Sequence, residues 1–354
     1  MARCATASIA SPKGKPVVSG TPARRLQILH TGGTIGMGPT PHGLAPRAGL
    51  EMDIRKVLAT MPPADLPDWS FQEIQPLHDS ADVLPSDWGR LAELIRASAN
   101  GANADAVLVL HGTDTLAYTA SALSYLLSDI RLPVVLTGSM APLDTEGTDA
   151  IGNLTGAVRA LHRGVGAGVH IYFHGCLMNG LRVTKYTGTS DNAFASLRDV
   201  TTGTPTGVVP NELSPAKWIP AAVAILTLYP GFHAEQIEHL ASMGIRGLVL
   251  ECYGSGTGPG DQRFIAALKA AVDAGMVVVA VTQCPAGGVD LDTYATGQHL
   301  RSAQVIGGRN LTREAAFAKL HYLIGIGLPA TEVARWMLAD LCGEFGALPA
   351  AACG

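Results

Sequence analysis

The sequence predicts a two-domain α/β fold. A larger N-terminal domain carries a mostly parallel sheet with flanking helices, and a smaller C-terminal α/β domain follows. Three observations predict it. Apolar strand-like runs alternate with helix-like segments along the chain. Those runs are rich in Val, Ile and Leu without strict alternation, as suits strands covered on both faces by βαβ crossovers. The 354 residues also exceed the size at which a single hydrophobic core stops growing.

Residues 1–23 are small, polar and proline-bearing, lack the apolar stretch of a signal-peptide core, and are expected to form a disordered tail. The N-terminal catalytic domain is assigned to 24–204. It opens with the strand Leu26-Gln27-Ile28-Leu29, after which the Gly/Pro-rich passage from Met37 to Ala48 reads as a loop long enough to act as a lid. Phe71–Gln75 is strand-like. Ser86–Ala97 puts Trp88, Leu91, Ala92 and Ile95 on one helical face, with Ser86 as its N-cap. The buried run Ala106–Leu110 is followed by a helix through Tyr118 and Leu126, the strand Val134–Leu136, a helix from Asp149 to His162, and the strand Val169–Phe173.

A Pro-, Thr-, Gly- and Asn-rich stretch over 205–222 is expected to be a linker, leaving 223–354 as the C-terminal α/β domain. There the pattern restarts: strand Val223–Leu228, helix Ala234–Leu240, strand Leu248–Leu250, helix Asp261–Ala274, strand Val277–Val281, and closing helices at Thr312–Leu323 and Thr331–Leu341. No short-period repeat is visible, which excludes solenoids.

Composition narrows the function. The chain is 47% hydrophobic and 15% charged, far from the disordered regime. A formal charge of −4 argues against nucleic-acid and anionic-membrane partners. Six scattered cysteines with no CxxC pair match neither a disulfide framework nor a zinc site, so no metal is expected and a reduced, cytoplasmic setting is the natural reading. No apolar segment reaches the length needed to span a bilayer.

The most informative features are two threonine motifs, each directly after an apolar strand: Thr31-Gly32-Gly33-Thr34-Ile35-Gly36 and His111-Gly112-Thr113-Asp114-Thr115. In an open parallel sheet, ligands gather outside the carboxyl ends of the strands, so both loops open onto one rim. The first motif has a bland reading as a tight turn and another as a dinucleotide fingerprint. The GxGxxG register fails at Thr31, although Asp53 lies at about the spacing of a ribose-binding acid. The glycine pair also lets backbone N–H groups approach a ligand closely and stabilise an oxyanion. In the second motif, Asp114 or Thr115 can serve merely as a helix cap. His111 alone is more often a hydrogen-bonded core residue and is given no role. Asp79-Ser80 reads unaided as a turn or cap, and Lys185 as a solvated lysine that becomes a base only if burial or a neighbouring charge lowers its pKa.

Together these segments resemble the L-asparaginase family, specifically its bacterial cytoplasmic type I branch. The likeness runs from Leu26 to Leu323. Beyond the two threonine motifs it includes Asp79-Ser80, Thr137-Gly138-Ser139, Asp149 with Asn153, Lys185, Thr227-Leu228-Tyr229-Pro230-Gly231, Thr282-Gln283-Cys284 and Tyr294-Ala295-Thr296-Gly297. The resemblance implies hydrolysis of L-asparagine to aspartate and ammonia, without a cofactor, by a cytoplasmic homotetramer built as a dimer of dimers. It matches Thr34 to the family's first nucleophilic threonine, and Thr113, Asp114 and Lys185 to its second catalytic cluster. It also implies that Asp79, Ser80 and Asp114 hold the substrate's α-carboxylate and α-amino groups, that Gly112 lines the same site, and that the Ser139 backbone faces the amide. Thr34 is taken as the acylated residue and Thr113 as the group that positions water or moves protons; the reverse assignment stays open.

The sequence departs from the family pattern at three positions. Leu44 stands where many relatives carry a tyrosine that helps activate the first threonine. Thr257 replaces an asparagine that a neighbouring subunit offers to the substrate. Glu251 occupies a position that is basic in some type I members and associated there with effector binding. Two other functions therefore stay in view. One is a non-enzymatic binder of amidic amino acids, motivated by Leu44 and Thr257. The other is a nicotinamide-dependent oxidoreductase, motivated by the glycine-rich turn and Asp53.

Overall fold

The structure, a computed structural model, describes residues 20–99, 104–196, 209–213, 218–292 and 295–345. Strand β1 (Arg25–Gly32) runs into a 3₁₀ turn (Thr34–Gly36) and the strands β2 (Met37–Thr40) and β3 (Gly43–Pro46). Next come α1 (Glu51–Leu58), β4 (Asp68–His78), α2 (Pro85–Ala99), β5 (Ala106–Leu110), α3 (Leu116–Leu126), β6 (Pro133–Thr137), α4 (Ala150–Arg163), β7 (Gly168–Phe173), β8 (Cys176–Asn179), β9 (Val183–Lys185) and β10 (Phe194–Ser196). The second half contains β11 (Val223–Thr227), α5 (Glu235–Ser242), β12 (Gly247–Cys252), α6 (Gln262–Asp273), β13 (Val277–Thr282), α7 (Ala295–Ser302), β14 (Ile306–Gly307), α8 (Arg313–Gly325) and α9 (Ala330–Met337).

The larger sheet has the order β4-β1-β5-β6-β7-β8. Its pairings are parallel from β4 through β7, and only the edge strand β8 runs antiparallel. The chain leaves β1 for β4 on one side and then returns to β5 on the other. The boundary between β1 and β5 is thus the topological switch point, where an open α/β sheet leaves a crevice for ligands. The smaller sheet is the parallel array β11-β12-β13-β14.

Period-two alternation divides the buried strands between two cores. On β5, Ala106, Leu108 and Leu110 join Leu26 and Ile28 against α1 and α4. Val107 and Val109 face the opposite way, into a core with Leu29, α2 and α3 that continues into α8 and α9. The halves of the molecule therefore share one core. Aromatic rings bridge it: Tyr125 stacks on Tyr322 at 5.7 Å, while Trp88 and Tyr118 meet Phe317 edge-on at 6.2 and 5.7 Å.

Several expectations are corrected. The passage from Met37 to Ala48 is not loop throughout; β2 and β3 pair antiparallel, Met37 opposite Pro46. The α2 helix starts at Pro85 rather than after a Ser86 cap. Proline suits the first helical position, and Asp87 accepts a hydrogen bond from Leu84 N at 2.8 Å, as an N3 carboxylate does in a capping box. Residues 1–19 of the expected tail lie outside the described residues. Within it, Gly20 and Ala23 are tied down by hydrogen bonds to the Gly164 and Leu161 carbonyls, and Ala23 is buried. Of the stretch expected as a linker, residues 205–208 and 214–217 lie outside the described residues. Leu213 within it is buried, and its carbonyl accepts from the Tyr322 hydroxyl.

The shared core contains a group that would titrate near 6.5 in water. His321 packs edge-on against Trp88 and Phe317 at 5.5 and 4.5 Å, and neither ring nitrogen has a partner among the described residues. Burial holds its imidazole down at about 4. The unfolded chain protonates near 6.5, so this contribution to stability is intact above that pH and is lost as pH falls toward 4. His321→Leu is expected to flatten the stability curve between pH 6 and 5 by about 1 kcal/mol per pH unit. Urea titrations across that range measure the slope, and an unchanged slope would contradict this.

Candidate active site

The loops after β1, β4, β5 and β6 converge at the switch point, and glycine makes the convergence possible. Gly33 adopts φ +80°, and a Cβ there would lie 2.3 Å from Gly112 Cα. A Cβ on Gly112 would lie 2.5 Å from Ser80 Oγ. The Gly33 and Gly112 backbones thus abut, and the Ser80 side chain fills the space beside Gly112, leaving no room for a side chain at either glycine. Thr34 and Thr113 each follow one of the two abutting glycines, so the fold brings the two threonine motifs side by side. Thr34 is half-buried at the start of its 3₁₀ turn. That turn is anchored by Gly36 N donating to Gly33 O at 3.1 Å and by Leu143 N donating to Ile35 O at 3.2 Å.

Hydrogen bonds lock the loops in this arrangement. Gly33 N donates to His78 O at 2.9 Å, and Thr31 Oγ1 donates to Leu110 O at 3.0 Å. Ser80 is buried. Its Oγ accepts from Asp114 N at 3.1 Å, and its carbonyl accepts from Thr115 Oγ1 at 2.7 Å. Thr115 stands at the N-cap position of α3, but its hydroxyl is turned to the Ser80 carbonyl and makes no capping hydrogen bond. Asp79 does act as a cap: its carboxylate accepts from Ala81 N at 3.1 Å at the head of a short 3₁₀ turn. His111 sits beneath the motif, its Nδ1 at 2.8 Å from Gly112 O and its Nε2 at 3.0 Å from Thr119 Oγ1. Full burial lowers its pKa, so the ring is a neutral strut under Thr113.

The β6 loop is organised by a carboxylate. Asp149 accepts from Met140 N at 2.9 Å and from Ala141 N at 3.1 Å, and Asn153 Nδ2 bridges Gly138 O and Asp149 Oδ2 at 3.0 and 3.1 Å. Ser139 is buried within this loop and donates its hydroxyl to Ala141 O at 2.5 Å.

Lys185 reaches the crevice from β9. Its Nζ donates to Thr113 Oγ1 at 2.9 Å and to Asp114 Oδ1 at 2.6 Å. Its side chain is 20% exposed, whereas that of Asp114 is 59% exposed, so the pair lies at the rim of the site with the ammonium inward. Lys185 is not the solvated lysine that its local sequence suggests. Because Thr113 Oγ1 accepts from Lys185, its own hydroxyl proton is left to donate elsewhere.

The departures from the family pattern are also located. Leu44 lies on β3, exposed and opposite Pro39. Thr257 closes a tight loop on Tyr253, whose N donates to Thr257 O at 2.9 Å. Glu251 is buried at the end of β12, where it accepts from Thr227 Oγ1 at 2.5 Å and from Arg313 Nη1 at 3.4 Å. Asp53 lies on α1 and pairs with Lys56 and Arg47 at 2.9 and 3.2 Å, remote in role from a strand-end ribose ligand. Of the Tyr294–Gly297 motif, Tyr294 lies outside the described residues. The loop-to-loop bonds of Ser80, Thr115 and Asp149 were not assigned from sequence, because their partners are distant in the chain or are backbone atoms that carry no residue signal.

Residues 25–212 match the asparaginase N-terminal family model, and 222–337 match the glutaminase/asparaginase C-terminal domain. The chain is 36% identical over 337 residues to L-asparaginase 1 of Escherichia coli, covering 91% of this chain and 98% of that one. The crystal structure of L-asparaginase I from Vibrio cholerae superposes with a TM-score of 0.78 at 33% identity, covering 92% of this chain and 99% of that one. The thermostable L-asparaginase from Thermococcus kodakarensis gives 0.79 at 29% identity, covering 91% and 99%.

Proposed function

The chain belongs to the asparaginase family, and on that premise we propose that it hydrolyses the side-chain amide of L-asparagine to L-aspartate and ammonia. The observation that carries the reading is the Lys185–Thr113–Asp114 contact set beside the Gly33–Gly112 junction, with Thr34 the residue that follows Gly33 in the chain.

In this reading the Thr34 hydroxyl attacks the amide carbon, and its proton passes to the departing nitrogen. A neutral hydroxyl is a weak nucleophile and needs a proton acceptor within reach. Leu44 cannot relay a proton, so the burden falls on the Thr113–Asp114–Lys185 cluster. The oxyanion is stabilised by backbone N–H groups of the glycine-bearing loops, where one such donor is worth ~2.7–4 kcal/mol of barrier. Ammonia leaves, and water positioned by Thr113 then hydrolyses the acyl-threonine and restores the hydroxyl. Asp79, Ser80 and Asp114 hold the α-amino and α-carboxylate groups, with the Gly112 and Ser139 backbones lining the side-chain end.

Thr34→Ala and Thr113→Ala are each expected to cut ammonia release from L-asparagine by about 10³-fold or more, as removal of a member of a catalytic unit does. Wild-type turnover in both would overturn the mechanism. Aspartate formation by the pure wild-type protein distinguishes this enzyme from a binder of amidic amino acids. We also propose a cytoplasmic homotetramer, in keeping with the type I resemblance. Sedimentation velocity is expected to give four chains per particle, and a monomer at micromolar concentration would contradict it.

A further inference from the structure

Lys185 belongs to the N-terminal half, yet the strand that carries it is gripped by the C-terminal half at nearly every residue leading to it. Thr312 Oγ1, at the head of α8, donates to Leu181 O at 3.4 Å. The fully buried Arg182 donates through Nη1 to the carbonyls of Asn310 and Glu344 at 2.9 and 2.6 Å. Thr184 Oγ1 donates to Glu314 Oε1 at 2.6 Å. Strand residues alternate faces, so Thr184 turns toward α8 while Val183 and Lys185 turn the other way. Val183 is buried in the shared core, and Lys185 meets Thr113 and Asp114.

Glu314 is itself held. It is buried, and Arg313 Nη2 lies 3.4 Å from the same Oε1 that Thr184 uses. Arg313 Nη1 reaches Glu251 Oε1 at 3.4 Å, and Glu251 takes a further hydrogen bond from Thr227 Oγ1 at 2.5 Å. An unbroken line thus runs from the ends of β11 and β12, through one guanidinium and two buried carboxylates, to the residue beside Lys185. A buried carboxylate is retained at a cost unless it is paired, so two of them facing one arginine and two threonine hydroxyls form a built arrangement.

We propose that Glu314 is a positioning residue for Lys185, acting through Thr184, and that Arg313 fixes Glu314 against Glu251 so that the C-terminal domain sets where the lysine ammonium stands. This rests on Lys185 serving the reaction as set out above. The substrate's binding groups come from other loops, so loss of the grip acts on turnover rather than on capture.

The test compares Thr184→Val, Thr184→Ser, Glu314→Gln, Arg313→Gln and Lys185→Met in the full-length enzyme. Thr184→Val is expected to lower kcat about 10–100-fold, the scale of a small misplacement of a reacting group, while leaving KM within about 2-fold. It is also expected to move the pH at which kcat is half-maximal, whereas a merely loosened fold lowers Tm and leaves that profile in place. Thr184→Ser keeps the hydroxyl and is expected to restore kcat. Glu314→Gln is expected to lower kcat in the same direction, and the Thr184→Val/Glu314→Gln double variant to be no worse than Thr184→Val alone. Should Thr184→Val fail to fold, Arg313→Gln tests the same line at its partly exposed middle member and is expected to shift the profile in the same sense. Wild-type kcat and an unmoved profile in the Thr184 and Glu314 variants, beside an inactive Lys185→Met, would overturn the proposal alone. An active Lys185→Met enzyme would remove the underlying mechanism and this proposal with it.

Discussion

The architecture depends on a contact between two backbones. Gly33 and Gly112 touch where β1 and β5 end, at the single place where the sheet order reverses. A parallel sheet offers a crevice at that reversal, but the crevice is only as narrow as the loops on either side permit. A Cβ at Gly33 would lie 2.3 Å from Gly112 Cα and force the β1 and β5 loops apart, and one at Gly112 would meet the Ser80 side chain at 2.5 Å. With glycine at both, the two loops that carry Thr34 and Thr113 come side by side. The bonds of Ser80 to Asp114 and Thr115 then keep the β4 loop in register with the β5 loop.

A second constraint acts from outside this junction. The sheet that presents the threonines does not by itself hold the lysine. Its strand is fastened by α8, by the turn before it, and by the segment around Glu344. A core continuous across both halves, with Tyr125 stacked on Tyr322, makes that fastening rigid. Two domains joined by a mobile linker would leave Lys185 free to drift. The shared core explains why the C-terminal half accompanies a site whose hydroxyls all lie in the first half.

Much of this was legible in the sequence, for identifiable reasons. Continuous apolar runs such as Ala106–Leu110 announce strands buried on both faces, and the glycine-bearing turns that follow them mark a rim. The two threonine motifs stand out by themselves, whereas Lys185 stands out only within the family pattern. The β2–β3 ribbon was hidden because Gly and Pro interrupt its alternation, and the true start of α2 because Pro85 and Asp87 outcompete Ser86. Glu314 and Thr184 carry no local signal at all. Each looks like an ordinary helix or strand residue until the fold closes 130 residues of separation between them. Long-range polar contacts of this kind are the part of a site that residue types and spacing do not reveal.

The most direct test is a crystal structure with L-aspartate bound. The account requires the ligand's side-chain carboxylate to sit between the Thr34 and Thr113 hydroxyls, with Lys185 still bonded to Thr113 and Asp114. Aspartate lodged elsewhere, or touching only one threonine while the other opens into a separate hollow, would contradict it.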